Sequence, residues 1–150
     1  MTQYQQRLTA DMKTALKAGD KDRLQVLRLL INAIKEAQLR AGKDQLDDAE
    51  EIAVLQAAVK ARRDAVAQAE QLGRQDVAQK ESAEITIIES YLPAMMSPDE
   101  LAAKIRALAQ EIGYSGGKDT GRFMKEWMAR YKGRAEGRDV QAALQKLANA

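Results

Sequence analysis

Residues 91–100 read YLPAMMSPDE and contain both prolines of this 150-residue chain. Pro93 cannot continue a helix, and the residue before a proline is pushed toward extended backbone. A helix start follows at Ser97, a capping residue, with a proline at the first helical position and a glutamate where a capping box needs one. One helical segment therefore ends before this stretch and another begins inside it. This pattern predicts a boundary between an N-terminal domain, residues 1–93, and a C-terminal domain, residues 94–150.

Four amphipathic helices are predicted on the N-terminal side, because apolar residues recur there every three or four positions. The chain is rich in strong helix formers and has no alternating apolar and polar run typical of a strand. Gly19, Gly42 and Gly73 stand where the periodic segments stop, as glycines do at helix C-termini. The predicted helices span about 2–18, 20–41, 47–72 and 75–91. Their short connections favour antiparallel hairpins.

Three shorter helices are predicted on the C-terminal side. The first runs from the Ser97 cap to Gly113, the second covers about 118–132 and the third about 137–148. The predicted fold class is therefore all-α, with an N-terminal antiparallel domain of about four helices and a small three-helix C-terminal domain.

Composition excludes several kinds of chemistry, because the chain has no cysteine and no histidine. Disulfides, thiolate nucleophiles, thiolate metal sites and histidine-based acid–base catalysis are therefore impossible. A di-iron bundle, which carries Glu-x-x-His on its helices, is excluded as well. No catalytic residue, metal ligand set or cofactor site is predicted.

The sequence also bears on localisation. No apolar run approaches the roughly 20 residues that a membrane span requires. The N-terminus, MTQYQQRLTADMK, does not have the pattern of a secretory signal. We therefore expect a cytoplasmic protein with no membrane partner.

Positive charge is concentrated in the C-terminal domain. Residues 1–93 have a net charge of −1, residues 94–150 have +3, and the segment 118–138 alone has +4. The cations of that segment are Lys118, Arg122, Lys125, Arg130, Lys132, Arg134 and Arg138. Such a cluster suits a phosphate backbone, where each cation can neutralise one phosphate. The alternative is an ordinary solvated helix face, and charge alone leaves both interpretations open.

The predicted helix 118–132 has two distinct sides. At about 100° per residue, four of its cations fall on one side, namely Lys118, Arg122, Lys125 and Lys132. Its large apolar residues fall on the opposite side, namely Phe123, Met124, Trp127, Met128 and Tyr131. The only tryptophan is therefore predicted to anchor a small core rather than to stack on a base.

The segment 115–120, SGGKDT, matches the phosphate loop of ATP pyrophosphatase-type enzymes. That loop needs a preceding strand and a parallel sheet, whereas an amphipathic helix precedes it here. We interpret it as a glycine-rich turn between helices, with Asp119 near a helix N-terminus.

Two glutamates on the fourth helix, Glu81 and Glu84, share a face. Paired carboxylates can hold a metal or move a proton, but no nucleophile or phosphate loop accompanies them. We expect them to form ion pairs with cations of the preceding helix, such as Lys60, Arg62 or Arg63.

The order of short motifs resembles the YqeY-like family over nearly the whole chain. The matching residues are Asp11-Met12-Lys13, Ala15 and Lys17; Lys21, Arg23-Leu24, Leu27-Arg28 and Lys35; Val59-Lys60, Arg62 and Asp64; Gly73-Arg74 and Asp76; Lys80-Glu81 and Glu84-Ile85; Tyr91-Leu92-Pro93; Lys118-Asp119, Gly121 and Met124; and Lys132-Gly133-Arg134-Ala135 with Gly137. Thr120 departs from the family pattern, since methionine is common there.

The resemblance implies that the C-terminal domain is similar to the tail domain of the B subunit of glutamine-dependent tRNA amidotransferase. In that complex the tail contacts the tRNA, and the core of the subunit, which has no counterpart here, performs the chemistry. The family is grouped with carbon–nitrogen ligases that use glutamine as amido-N-donor. No self-sufficient catalytic site is visible, so the resemblance leaves independent enzymatic activity uncertain.

The leading hypothesis is therefore a tRNA-binding accessory protein in translation, related to tRNA amidotransfer, that uses the basic segment 118–138. The alternative is a protein–protein adaptor that binds an amidotransferase or an aminoacyl-tRNA synthetase through its helical surface.

Overall fold

The computed structural model describes residues 2–149, and seven α-helices make up most of that part of the chain. They are α1 (Gln3–Ala18), α2 (Lys21–Ala41), α3 (Asp48–Gln71), α4 (Gln75–Glu89), α5 (Pro98–Ile112), α6 (Thr120–Tyr131) and α7 (Gly137–Ala148). A 3-10 turn, Gly117–Asp119, precedes α6, and no strand occurs among residues 2–149. The predicted all-α fold class is confirmed.

The chain divides into two compact units, with the division between Leu92 and Pro93. The first unit contains α1 to α4, and the second contains α5 to α7 with the 3-10 turn.

Local sequence signals set the helix ends. The Thr2 side chain accepts a hydrogen bond from the Gln5 N–H, which completes a capping box at the start of α1. Ser97 caps α5 in the same way, through the N–H of Glu100. Gly19 ends α1 at φ 71°, a left-handed conformation that glycine adopts without the steric cost a Cβ would impose. The chain therefore reverses there and enters α2.

The core of the first unit lies between two hairpins, α1–α2 and α3–α4. Its buried residues are Leu8, Ala15, Val26, Leu27, Leu30, Ile34, Leu46, Leu55, Val59, Ile88 and Tyr91. Each fully buried aliphatic side chain contributes about 1.5–3 kcal/mol of transfer free energy. Leu46 belongs to this core although the sequence around it predicts a polar connecting loop, because the loop folds back over the hairpins.

The second unit has its own smaller core of buried residues. These are Ile105, Leu108, Ala109, Phe123, Trp127, Val140 and Leu144. Every helix of the unit contributes at least two of them. The predicted role of Trp127 as a core anchor is confirmed, because its side chain is only 1% exposed. Met128, which is on the apolar side in the helix prediction, is 42% exposed and lies at the edge of that side.

One charged residue is fully buried in the first unit. Glu51, in the first turn of α3, accepts a hydrogen bond from the Thr2 hydroxyl at 2.8 Å. Its other oxygen is buried without a hydrogen-bond partner among the described residues. Burial raises the pKa of Glu51, nearby Asp48 and Asp47 raise it further, and the bond from Thr2 opposes the shift.

Glu51→Gln is expected to raise the urea midpoint at pH 7.5 and to change it little at pH 4.5. Because the pKa of Glu51 is raised in the folded state, the folded protein binds its proton more tightly than the unfolded chain does. The contribution of this carboxyl to stability is therefore lost as pH rises, and the neutral amide avoids that loss. Urea unfolding at the two pH values measures the difference.

The matched control is Glu70→Gln, at an exposed position on the same helix, which should leave both midpoints unchanged. A midpoint for Glu51→Gln below that of the wild type at pH 7.5 would show that the ionised carboxylate stabilises the fold.

Candidate nucleic-acid interface

The seven cations of the predicted RNA-binding segment all lie in the second unit, on several different elements. Lys118 is in the 3-10 turn, and α6 carries Arg122, Lys125 and Arg130. Lys132 and Arg134 lie between α6 and α7, and α7 carries Arg138. The helix predicted over about 118–132 is α6, Thr120–Tyr131, with Lys118 in the 3-10 turn just before it and Lys132 just after it.

Three of these cations surround the first half of α6. Lys118, Arg122 and Lys125 are exposed, and the structure shows no ion pair for either lysine within residues 2–149. Arg122 donates to the carbonyl of Ile112 at 2.9 Å, and its guanidinium lies 3.4 Å from an Asp119 carboxylate oxygen. The ammonium groups of both lysines are therefore exposed, and Lys118 is close enough to Asp119 to help lower the pKa of that carboxyl.

Arg130 is held by acidic side chains. It donates two hydrogen bonds to the Glu111 carboxylate, at 2.7 and 2.8 Å, and lies 3.7 Å from Glu126. The guanidinium lowers the pKa of Glu111, and the carboxylate in turn raises the pKa of Arg130. A fork already occupied by a carboxylate is less available to a phosphate.

Arg134 has a structural role. Its Nε donates to the carbonyl of Ala94 at 2.7 Å, and Nη2 lies 3.1 Å from Glu100. The Arg134 carbonyl accepts a hydrogen bond from the Met96 N–H, also at 2.7 Å. These contacts fix the segment before α5 to the segment before α7. Neighbouring Lys132 is partly buried.

Arg138, at the start of α7, is the most exposed of the four arginines in the segment. Its side chain is 83% exposed and lies 3.1 Å from Glu136 and 4.0 Å from Asp139. Ion pairs as open to water as this one contribute little and are easily exchanged.

The glycine-rich segment 115–120 is a turn between helices, as predicted. The Asp119 carboxylate accepts hydrogen bonds from the backbone N–H of Ser115 at 2.9 Å and from its hydroxyl at 3.0 Å. These two bonds lower the pKa of Asp119. Gly116 has φ 135°, which lets the chain turn from α5 into the 3-10 turn.

The aromatic side chains of α6 pack on one another inside the second unit. The rings of Phe123 and Trp127 are stacked with centroids 6.1 Å apart, and Trp127 and Tyr131 are 4.7 Å apart. Tyr114 contacts the edge of Phe123 at 5.9 Å. With Phe123 and Trp127 buried, the surface of α6 offers charge rather than stacking platforms to a ligand.

One of the two predicted carboxylates of α4 forms the expected ion pair: Glu84 pairs with Arg62 of α3 at 3.0 Å. No ion pair of Glu81 occurs among residues 2–149, and it is Glu89, further along α4, that lies 3.5 Å from Arg63. Within residues 2–149, no group of three or more Asp or Glu side chains is arranged to hold a metal ion.

A polar cluster in the first unit was missed by the sequence analysis. The buried hydroxyl of Tyr91 donates to the Asp11 carboxylate, and the Arg7 guanidinium lies over the Tyr91 ring, 4.9 Å from its centroid. Burial, followed by the hydrogen bond to Asp11, raises the pKa of Tyr91 to about 12. The sequence places Asp11 next to the inward-facing Met12. It does not indicate that Tyr91 is the hydrogen-bond partner of Asp11, because that pairing depends on the tertiary fold.

The chain is thus a small helical protein of two units, with basic residues concentrated in the second unit. Across residues 2–149, none of the helices is long and apolar enough to cross a membrane. The family model for Yqey-like protein matches residues 5–147, and the chain belongs to this family.

The chain is also similar to curated relatives that are each named Altered inheritance of mitochondria protein 41, mitochondrial. The protein from Vanderwaltozyma polyspora is 24% identical over 134 residues, which are 81% of this chain and 72% of the relative. The protein from Eremothecium gossypii is 30% identical over 107 residues, which are 70% of this chain and 58% of the relative. The match thus spans less than two thirds of the second relative.

Proposed function

We propose that this protein binds tRNA through a basic surface on its second unit, and that it acts as an accessory to tRNA amidotransfer rather than as an independent catalyst. The observation that carries the proposal is a pair of exposed lysines, Lys118 in the 3-10 turn and Lys125 in α6, which form no ion pair among the described residues. Arg122 lies between them in the chain and extends the same basic surface. Phosphate groups would displace counterions from such a surface, and that release favours binding.

The seven candidate cations differ in their contacts and exposure, and Lys132 is partly buried. Arg130 is occupied by two glutamates, and Arg134 holds the fold of its own unit. Arg138 has acidic neighbours but is open to water. We therefore propose Lys118, Arg122 and Lys125 as the primary phosphate contacts, with the remaining cations adding long-range attraction.

Lys118→Ala/Lys125→Ala is expected to weaken tRNA binding about tenfold at low salt. Each lost phosphate contact should lower the slope of log affinity against log salt by about 0.7–0.9, so the pair should lower it by about 1.4–1.8. Fluorescence anisotropy of labelled tRNA over a salt series measures both quantities. Neither lysine has a described structural partner, so the fold should be unaffected.

The matched control is Lys13→Ala/Lys17→Ala, which removes the same charge from exposed positions of α1. Equal losses in both variants would mean that net charge alone attracts RNA, and would contradict a defined surface. If the wild type shows no binding to tRNA at low salt, the proposal fails.

The second candidate is a protein–protein adaptor that binds an amidotransferase or a synthetase. It is favoured by large apolar side chains left in solvent on the first unit, including Leu39 at 82% exposed and Leu72 at 71%. Absence of tRNA binding in the wild type would shift the balance to this candidate.

A further inference from the structure

An apolar groove lies between α5 and α7 of the second unit, on helices that carry none of the three primary phosphate contacts. It has a volume of about 610 Å³ and is open to solvent. Its floor is apolar: Leu101, Ala102 and Ile105 come from α5, and Ala142, Ala143 and Leu147 from α7.

The two walls of the groove follow the same helical spacing. On α5 the lining residues occur at positions 98, 101, 102, 105 and 106, and on α7 at 139, 142, 143, 146 and 147. In each set the residues follow the spacing i, i+3, i+4, i+7 and i+8, so they lie on one side of their helix. Residues with this spacing form the surface by which one helix packs against another. The three alanines keep the groove wide enough for the side chains of a third helix to enter.

The two walls run in the same direction. Their starts are joined, because the Met96 N–H donates to the Arg134 carbonyl just before α5 and α7 begin. Their ends also lie together, because Tyr114, after α5, and Ala148, at the end of α7, line one small cavity. The C-terminal ends of both helices therefore meet at the same end of the groove.

That end of the groove is positively charged. Arg106 of α5 and Lys146 of α7 flank it, and neither forms an ion pair among the residues the structure describes. The opposite end carries Asp139, which lies 4.0 Å from Arg138. The groove therefore has one cationic end and one end where an acid and a base offset each other.

We propose that the groove binds an amphipathic helix of a protein partner, running antiparallel to α5 and α7, with acidic residues in its first turn. In this direction the N-terminus of the partner helix lies at Arg106 and Lys146. Acidic residues are favoured at that N-terminus for two reasons. The dipole of the partner helix attracts negative charge there, and Arg106 and Lys146 can pair with carboxylates. The apolar side of the helix, at i, i+3, i+4 and i+7 spacing, fills the alanine-lined floor, as in other helix-in-groove complexes.

Ala102→Trp tests this proposal, because an indole at position 102 fills the groove. Ala103→Trp is the matched control, since it adds the same side chain to the next exposed residue of α5, outside the groove. A phage-displayed library of helical peptides is selected on the full-length wild-type protein. The recovered peptides are then synthesised and their affinities for all three proteins are measured.

We expect the enriched peptides to carry Asp or Glu in their first turn and apolar residues at helical spacing. Their affinity should fall at least tenfold for Ala102→Trp and stay within twofold for Ala103→Trp. Arg106→Glu/Lys146→Glu should lower their affinity by a similar factor. The proposal is overturned if no peptide is enriched, if the peptides bind Ala102→Trp as tightly as wild type, or if tRNA rather than peptide is excluded by Ala102→Trp.

Discussion

Trp127→Ala is expected to unfold the second unit selectively. The indole is 1% exposed and lies between the rings of Phe123 and Tyr131. Truncating a buried aromatic residue to alanine costs about 3–5 kcal/mol, because transfer free energy is lost and a cavity remains. The unit has a core of few residues, so its total stability is of the same order. Hydrogen exchange measured by mass spectrometry should show lost protection throughout 94–150 and retained protection in 1–92.

Met128→Ala is the matched control for this prediction. Met128 is adjacent in the chain and 42% exposed, so truncation should change exchange in the second unit very little. If Trp127→Ala kept the protection of the wild type, the aromatic stack would not be the anchor of this core. Equal loss in both units would mean that the two unfold together.

Arg62→Ala is expected to destabilise the first unit by about 2 kcal/mol. Arg62 and Glu84 join α3 to α4 at 3.0 Å, and each side chain is only 15% exposed. Arg62 also donates to the carbonyl of Ala58 at 3.1 Å. Removing the guanidinium leaves the Glu84 carboxylate largely buried without its partner, which costs more than the intact pair contributes. Urea unfolding followed by circular dichroism measures the loss.

Two further variants separate the ion pair from helix propensity. Lys60→Ala removes an exposed cation of the same helix and should leave the midpoint nearly unchanged. Arg62→Met/Glu84→Met removes both charges and keeps apolar volume, so it should be more stable than Arg62→Ala alone. A double variant less stable than the single one would show that the carboxylate needs no partner.

Helix type, order and ends could be predicted because each depends on nearby residues. The Ser97-Pro98 start, the Gly19 stop and the apolar periodicity are all local signals, and the structure contains each helix they indicate. Trp127 could be placed in a core because its helix has only one strongly apolar side.

Other features depend on contacts between residues far apart in the chain. Glu51 follows three acidic residues, so an exposed side chain would be the ordinary expectation. The side chain is instead fully buried and accepts a hydrogen bond from the Thr2 hydroxyl. Leu46 is buried because its loop folds back on the hairpins. Leu16 and Ala15 fit the helical period equally well, and packing of α1 leaves Leu16 58% exposed.

The basic segment 118–138 shows that contacts between distant residues also limit what the sequence can predict about function. A count of charges treats the seven cations as equivalent. In the structure they differ in their ion pairs, because Arg122, Arg130 and Arg134 each lie beside an acidic side chain, namely Asp119, Glu111 with Glu126, and Glu100. The partners of Arg130 and Arg134 are set by the packing of α5 against α6 and by the turn before α7. A sequence can therefore indicate where positive charge collects, and the fold decides how much of it a ligand can use.

The contact between Arg134 and Ala94 spans 40 positions of the chain. Closing a segment of this length costs conformational entropy, which the packing of the three helices must offset. During synthesis, α5 therefore emerges from the ribosome well before Arg134, which holds the segment in front of α5 through Ala94 and Met96. The core of the second unit takes residues from all three helices, so it is completed only when α7, in the last third of the unit, has been made.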